Sequence, residues 1–393
     1  MKIEDLQNAV HSGSVIRLLV DLSPMTPDGL VYPPTYAALE RNGPPHIDMR
    51  KAWVDGSLRD IVVLDSVQSQ ANRIEHALLE AKRAGRLAYP DISISFPAES
   101  GEPIYSVLQL SHRVFDVSLA CAKHQGAPFF ESAIGKAIRQ SRPTDATTLF
   151  QQAPATLLLG AWDSHGGGGP LVAKLPRLLT SEIIGLDAVS VSVSAMKSDP
   201  MDIRKSAAEL IDAAPESGRV FEIKPANSKS KGRKPSEFGF GSVPSVDKPR
   251  AASISLARQT SLVSCSGLRQ LSFPGGDSES TAAQRDQSGR VALAALGLYG
   301  LIAQNESGYR LRSRCELVPL REARVELVGR TLEEVRVFSL SADEAALLLQ
   351  EALKDAERYG LKWGQDVQLE ADDRLMTLVA RSRAAAQIVD ADD

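Results

Sequence analysis

Ser69, Asn72, Arg73 and His76 lie close together in "SVQSQANRIEHALLEAKRAG", Ser66 to Gly85. At roughly 100° per residue they share one side of a helix with Glu80, while Val67, Ala71, Ile74, Leu78 and Ala81 gather on the other. A hydroxyl, an amide, a guanidinium and an imidazole on one face are either a solvated surface or a set of donors for a phosphate and its sugar. The pattern alone leaves both open. His112 and His165 have the side chain that titrates near neutrality and could act as acid and base, yet nothing in their spacing makes a catalytic pair. The six histidines are scattered without a His-Glu-x-x-His or similar arrangement, so neither a metal nor a cofactor is expected. Gly166 to Gly169 are followed by Pro170 and no Lys-Ser pair, which makes them a turn and not a phosphate loop.

Two basic stretches add to this set. Lys229, Lys231, Arg233 and Lys234 in "KSKGRKPS" read as a solvated linker or as an arm that folds over a phosphate backbone. "RLRSRC" places Arg310, Arg312 and Arg314 at alternate positions, which on a strand would set three guanidiniums on one face. The competing reading is pairing with acids such as Glu316 or Glu322.

The elements that must carry these residues follow from periodicity. Ile3, Leu6 and Val10 predict a first short helix; "SVIRLLVDL" and "DIVVLDS" predict strands, the second feeding the Ser66 helix, which Ser66 caps and Gly85 ends in a left-handed turn. Pro24 to Pro45 reads as a loop or insertion. "APATLLLGAW" and "IIGLDAVSVSVS" read as buried strands, "MDIRKSAAELIDAA" as a helix, "RVFEIKP" as a strand, and "GYRLRSRCELVP" as one continuous strand. Helices are predicted at "RVALAALGLYGLIAQN" and, behind a Ser cap, at "SADEAALLLQEALKDAERYG". Irregular alternation of strand and helix without an internal repeat indicates an α+β or α/β chain.

The chain has 393 residues, 43% hydrophobic, enough for a sizeable core as one domain or more. No apolar run reaches the length of a membrane span and the N-terminus lacks a signal-peptide core, so a soluble cytoplasmic protein is expected. Three distant cysteines exclude a disulfide framework. The net charge of −4 hides an uneven distribution: between Val220 and Leu262 eight bases face three acids, and "VDADD" closes the chain. Residues 227–250, rich in Ser, Gly, Pro and Lys, read as a flexible basic arm without a core of its own, and 384–393 as a disordered acidic tail on a single domain spanning 1–393.

Taken together, "SVQSQANRIE", "SHRVFD", "LLLGAWDSHGG", "KLPRLLTSEIIGLDAV", "KPSEFGFGSVP", "ALAALGLYGLIAQNESGYRLRSRCELVP" and "LVARSR" occur in an order that resembles the backbone subunit of the type I-U (I-G) CRISPR Cascade surveillance complex, a member of the RAMP superfamily. The likeness spans roughly Val15 to Arg383. It implies an RRM-like, ferredoxin-type core with large thumb and finger insertions, residues 227–250 being a possible thumb. It implies no catalysis by this chain. Its copies would stack head to tail along a CRISPR guide RNA, presenting bases to target DNA beside other Cascade subunits and a recruited helicase-nuclease. On this resemblance Ser69, Asn72 and Arg73 turn toward the guide backbone with His112 and Arg113 nearby; His76, Lys229, Lys231, Arg233, Lys234, Arg312 and Arg314 complete the expected RNA-binding set. The glycine-aromatic signature of RNA-reading RRM sheets is absent, so a grip on phosphate and ribose is expected in place of base stacking. Two rivals remain at this point: a guide-precursor endoribonuclease using His112 and His165, and a protein-only scaffold.

Overall fold

The computed structural model describes the chain except residues 39–44, 98–99, 164–173, 194–197, 205, 214–218, 226, 229, 242–247, 276–278 and 393. It is a mixed α+β structure with several sheets. The chain separates into two compact units, Met1–Ser190 with Ala251–Asp372, and Val191–Arg250 with Asp373–Asp393.

The first unit opens with α1 (Ile3–Ser12) and β1 (Val15–Pro24), as the apolar spacing predicts. Next come β2 (Met49–Val54), β3 (Ser57–Asp65) and α2 (Val67–Arg83), then β4 (Leu179–Leu186) and β5 (Leu256–Ser264). The long helix α3 (Glu279–Glu306) leads to β6 (Tyr309–Arg312), β7 (Cys315–Pro319), β8 (Arg324–Val328) and β9 (Val335–Phe338), and α4 (Ala342–Arg358) follows. One nine-stranded sheet runs β6-β7-β1-β5-β4-β3-β2, with β8 also on the edge of β1 and β9 beyond it. Its neighbours are antiparallel throughout. At its centre the chain runs β1, α2, β4, β5, α3, then β7 and β8. The spatial order is β7/β8, β1, β5, β4.

Strict alternation decides which face is covered. Ile16, Leu18, Val20 and Leu22 of β1 and Ala257, Gln259, Ser261 and Val263 of β5 are buried on one side. There α2 and α3 pack against the sheet and against each other. The side chain of Ser66 accepts the Ser69 amide and caps α2, and Gly85 beyond its end has φ +70°, both as predicted. Of the apolar stripe read from the sequence, Ala71, Ile74, Leu78 and Ala81 are buried.

Several predicted elements take another form. "APATLLLGAW" holds a fully buried short helix, Pro154–Leu159, in place of a strand: Pro154 sits at its first position, and a short apolar run does not distinguish the two states. "MDIRKSAAELIDAA" is not a helix. Its Leu210–Asp212 pairs with Phe221–Ile223 as a hairpin in the second unit, so tertiary pairing outweighs helical spacing. "GYRLRSRCELVP" breaks into β6 and β7 at a turn where Arg314 has φ +61°. In the second unit Phe221 stands 5.9 Å from Phe238 and 5.0 Å from Phe240, and the Arg233 guanidinium lies 4.2 Å from the Phe238 ring centre. The second unit also contains a helix, Asp373–Asp392. Among the described residues no helix is long and apolar enough to cross a membrane.

The contact of α2 with α3 depends on Gly300. A Cβ there would stand 2.9 Å from Ile74 Cγ2, closer than a packed core allows, with Leu78 Cδ2 at 3.4 Å beside it. Gly300→Val is therefore expected to destabilise the protein by about 1–3 kcal/mol through overpacking, read as a lower chemical-denaturation midpoint.

Candidate nucleic-acid interface

The polar side of α2 borders an open cleft. Ser69, Asn72, Arg73 and His76 line a cavity of about 340 Å³ with Gln304, Ser307 and Gly308 from the end of α3 and the turn after it. Asn72 and His76 are exposed, and Ser69 and Arg73 are half-buried. Both Asn72 and His76 line this cleft.

Arg73 is anchored from below. Its Nε donates to Asp65 Oδ2 at 2.8 Å and its Nη2 to the Leu311 carbonyl at 2.7 Å, while 29% of its side-chain surface stays exposed. Asp65, the last residue of β3, has no exposed surface. The β3–β4 register shifts between Ile183 and Ile184, so Asp65 stands opposite Ile183 and Val63 opposite Ile184. A bulge of this kind re-aims a side chain, and here the carboxylate turns to the helix side of the sheet. Gln70 Nε2 donates to Asp65 Oδ2 at 2.6 Å, and Arg312 Nη2 stands 3.6 Å from Oδ1.

Gln70 extends this cluster into a buried polar network. Its Oε1 accepts from Ser181 Oγ at 2.8 Å and from Gln259 Nε2 at 2.9 Å. Gln259 Nε2 also reaches Gln304 Oε1 at 3.1 Å, and Tyr309 Oη donates to Gln259 Oε1 at 2.7 Å. Burial raises the Tyr309 phenol above its ordinary value, which keeps it a neutral donor. Ser261 Oγ closes the set on Ser181. Asp65, Gln70, Ser181, Gln259, Ser261 and Gln304 are all buried, and sequence reasoning singled out none of them. One signal was legible: Gln70 lies on the apolar side of its helix, and Gln259, Ser261 and Gln304 stand at core positions of otherwise apolar patterns.

The other expected residues divide. Arg312 joins the cluster, donating also to the Tyr32 carbonyl at 3.3 Å; Arg314 lies in the turn between β6 and β7, its guanidinium 4.1 Å from the Tyr32 ring centre. The single face of three arginines is thus replaced: Arg310 and Arg312 share a strand, Arg310 sits 3.8 Å from Glu316, and Arg314 leaves the alternation. His112 is exposed, its amide donating to Asp116 Oδ2 at 3.1 Å.

Arg113 faces inward. Its Nε and Nη2 grip Glu75 at 2.6 and 3.0 Å, and Nη1 donates to the Gly160 carbonyl at 2.9 Å. With 12% of the Arg113 side chain and 4% of that of Glu75 exposed, this is a structural pair holding the Arg113 turn to α2. Burial pushes the Glu75 carboxyl up and the guanidinium opposes it.

In the second unit Lys231 and Lys234 are exposed, whereas Arg233 is ion-paired with Asp212 and bonded through its backbone to Leu210. Lys229, His165 and the Gly166–Gly169 run lie outside the described residues. Among the described residues no group of three or more His, Cys, Asp or Glu could hold a metal. Cys265 and Cys315 are buried thiols pushed up to about 11 by desolvation, and all three cysteines are free.

Residues 16–190, just under half of the chain, match the family model of CRISPR-associated protein GSU0053. This segment carries β1 to β4 and the whole of α2, and it agrees with the CRISPR-associated resemblance read from the sequence. Among solved structures, Csc2 of Thermofilum pendens is 12% identical; the similarity covers 90% of this chain and 79% of that one at a TM-score of 0.26, too loose to carry an argument. No curated protein matches.

Removing one partner of a buried ion pair leaves the other charge unpaired. Arg113→Ala is therefore expected to cost roughly 3–5 kcal/mol of stability. The loss is read as a lower chemical-denaturation midpoint.

Proposed function

We propose, from the CRISPR-associated family that residues 16–190 match, that this chain is a non-catalytic RNA-binding subunit of a Cascade complex. In this reading it belongs to the RAMP backbone of a type I-U (I-G) system and clasps guide RNA by its sugar-phosphate strand. The observation that carries the reading is the cleft beside α2. Hydroxyl, amide, guanidinium and imidazole groups border a space open to solvent, in place of being covered by packed protein.

A guide holder must accept any base sequence, so its donors should address phosphates and ribose hydroxyls and leave base edges free. Arg73 and Arg312 supply guanidiniums for phosphate, and Ser69, Asn72 and His76 supply neutral groups for ribose and phosphate oxygens. Exposed His112, Lys231, Lys234 and Arg314 remain candidates for the same ligand, as does Lys229 from its sequence position. Arg113 and Arg233 are occupied by Glu75 and Asp212 and are left out of the grip.

A ferredoxin-type reading of the core draws support from the chain order strand, helix, strand, strand, helix, strand, with the fourth strand beside the first and the second at the far side. β1, α2, β4, β5, α3 and β7/β8 fill those six places. The long connection between β4 and β5, including residues 227–250, takes the place of a thumb. The remaining connections form the finger. Target DNA would be engaged through pairing with the guide, with further Cascade subunits and a helicase-nuclease as partners in the cytoplasm.

Asn72→Ala with Arg73→Ala is expected to weaken retention of a mixed-sequence guide RNA and to reduce the slope of log affinity against log salt by about one for the lost phosphate contact. Wild-type affinity with an unchanged slope in the double variant would refute the reading. Copies joined head to tail by a rotation that does not close form an open array whose length the RNA sets. Light scattering should accordingly show the particle growing with guide length; a closed ring of fixed size, indifferent to RNA, would be the contrary result.

A further inference from the structure

Asp65 has a role that the guide-holding reading does not by itself require. We infer that it is a positioning residue: a buried carboxylate that sets Arg73 and Arg312 side by side, so that their outward edges grip one stretch of RNA sugar-phosphate backbone. The inference rests on the proposed RNA-binding reading and deepens it.

The geometry supplies the argument. Asp65 has no exposed surface, yet each of its oxygens faces a guanidinium: Arg73 Nε lies 2.8 Å from Oδ2, and Arg312 Nη2 lies 3.6 Å from Oδ1. Both arginines keep part of their side chains in solvent, 29% and 26% respectively. Two long side chains from distant parts of the sequence would otherwise lose considerable rotamer freedom on meeting a ligand. The carboxylate meets that ordering cost during folding. Each guanidinium is also tied to a carbonyl, Arg73 to Leu311 and Arg312 to Tyr32, which sets the plane of the fork as well as its position. Asp65 is fixed in turn by Gln70, which Ser181 and Gln259 hold from the sheet. Two cations over one anion leave a net positive charge for a phosphodiester.

Positioning and simple charge make opposite predictions for Asp65→Asn. The substitution keeps the shape and removes a negative charge, so a site working by charge alone would bind RNA more tightly. If Asp65 positions the arginines, binding weakens by roughly tenfold despite the added positive charge, because the ordered pair is lost. The full-length protein would be titrated with a fluorescein-labelled single-stranded RNA of mixed sequence across a salt series, with the folded fraction measured by circular dichroism. Asp65→Glu restores the charge with the carboxylate displaced by one methylene, and it is expected to fall between wild type and Asp65→Asn. If Asp65→Asn does not fold, the comparison is read from Asp65→Glu against wild type, where equal affinity overturns the inference. Equal or tighter binding by folded Asp65→Asn also overturns it, while weaker binding by Arg312→Ala and by the Asn72/Arg73 double variant leaves the RNA-binding reading standing. Unchanged binding by those arginine variants would end both.

Discussion

A carboxylate with no contact with solvent closes β3, and the polar side of α2 is organised around it. Burying an ionised group is costly unless charge and hydrogen bonds compensate; Asp65 receives hydrogen bonds at Oδ2, while Oδ1 has a guanidinium nearby and no hydrogen bond. Arg73 and Gln70 bond one oxygen, and Arg312 approaches the other. The compensation continues inward, since Gln70 must then satisfy its own amide oxygen, which Ser181 and Gln259 do. Gln259 in turn binds Gln304 and accepts from Tyr309. A half-satisfied member of such a chain would carry the full desolvation penalty of its unpaired group. The network therefore specifies the seating of α2 and α3 on β4 and β5 more sharply than an apolar interface would. The cleft between α2 and the end of α3 inherits that definition, because Arg73 forms one wall and Gln304 part of the other.

The same side chain serves opposite ends in this molecule, and the difference lies in what covers it. Arg73 belongs to α2, Arg113 approaches that helix from another segment, and both meet an acid. Glu75 engages Arg113 bidentately and a carbonyl takes a third nitrogen, which leaves the guanidinium enclosed. Asp65 engages Arg73 through Nε and the Leu311 carbonyl takes Nη2, yet 29% of the side chain stays exposed beside the cleft. No feature of "SHR" or "ANR" separates these outcomes. The partners are contributed by other segments, and Glu75 lies within the same helix as Arg73.

Legibility from the sequence follows the same division between local and distant causes. The helix at 67–83, its Ser66 cap and Gly85, the strands at 15–24 and 57–65 and the helix at 342–358 are encoded by local period and terminal residues, and they form as read. The Met201–Ala214 segment has helical spacing but only Leu210 of its described apolar residues is buried, so pairing with Phe221–Ile223 decides its form. "RLRSRC" keeps its alternation of arginines straight through a turn, and the left-handed backbone at Arg314 leaves no mark in the residue type. For the candidate site, Ser69, Asn72, Arg73 and His76 were legible because one helix carries them all. Asp65 was not, because a bulge in the pairing of β3 with β4 sets its direction.

Charge compensation also distinguishes the two faces of the sheet as a surface for an anionic strand. On the side away from α2 and α3, Arg17 and Arg324 share the fully buried Glu326, Arg258 is held by Asp21 and Asp55, and Arg50 faces Asp48 and Glu182. Four guanidiniums there meet five carboxylates, so this set of pairs offers a polyanion no surplus of positive charge. The central positions between them, Leu19, Thr180, Ile184, Thr260 and Leu262, offer no aromatic ring on which a base could stack. On the α2 side Asp65 is approached by Arg73 and Arg312; Arg73 lines the cleft, and neutral donors continue along it. Under the proposed RNA-holding reading, a ligand of any base sequence would favour that second arrangement, because its specificity is for the spacing and charge of the backbone and its polar groups are held in place before the ligand arrives.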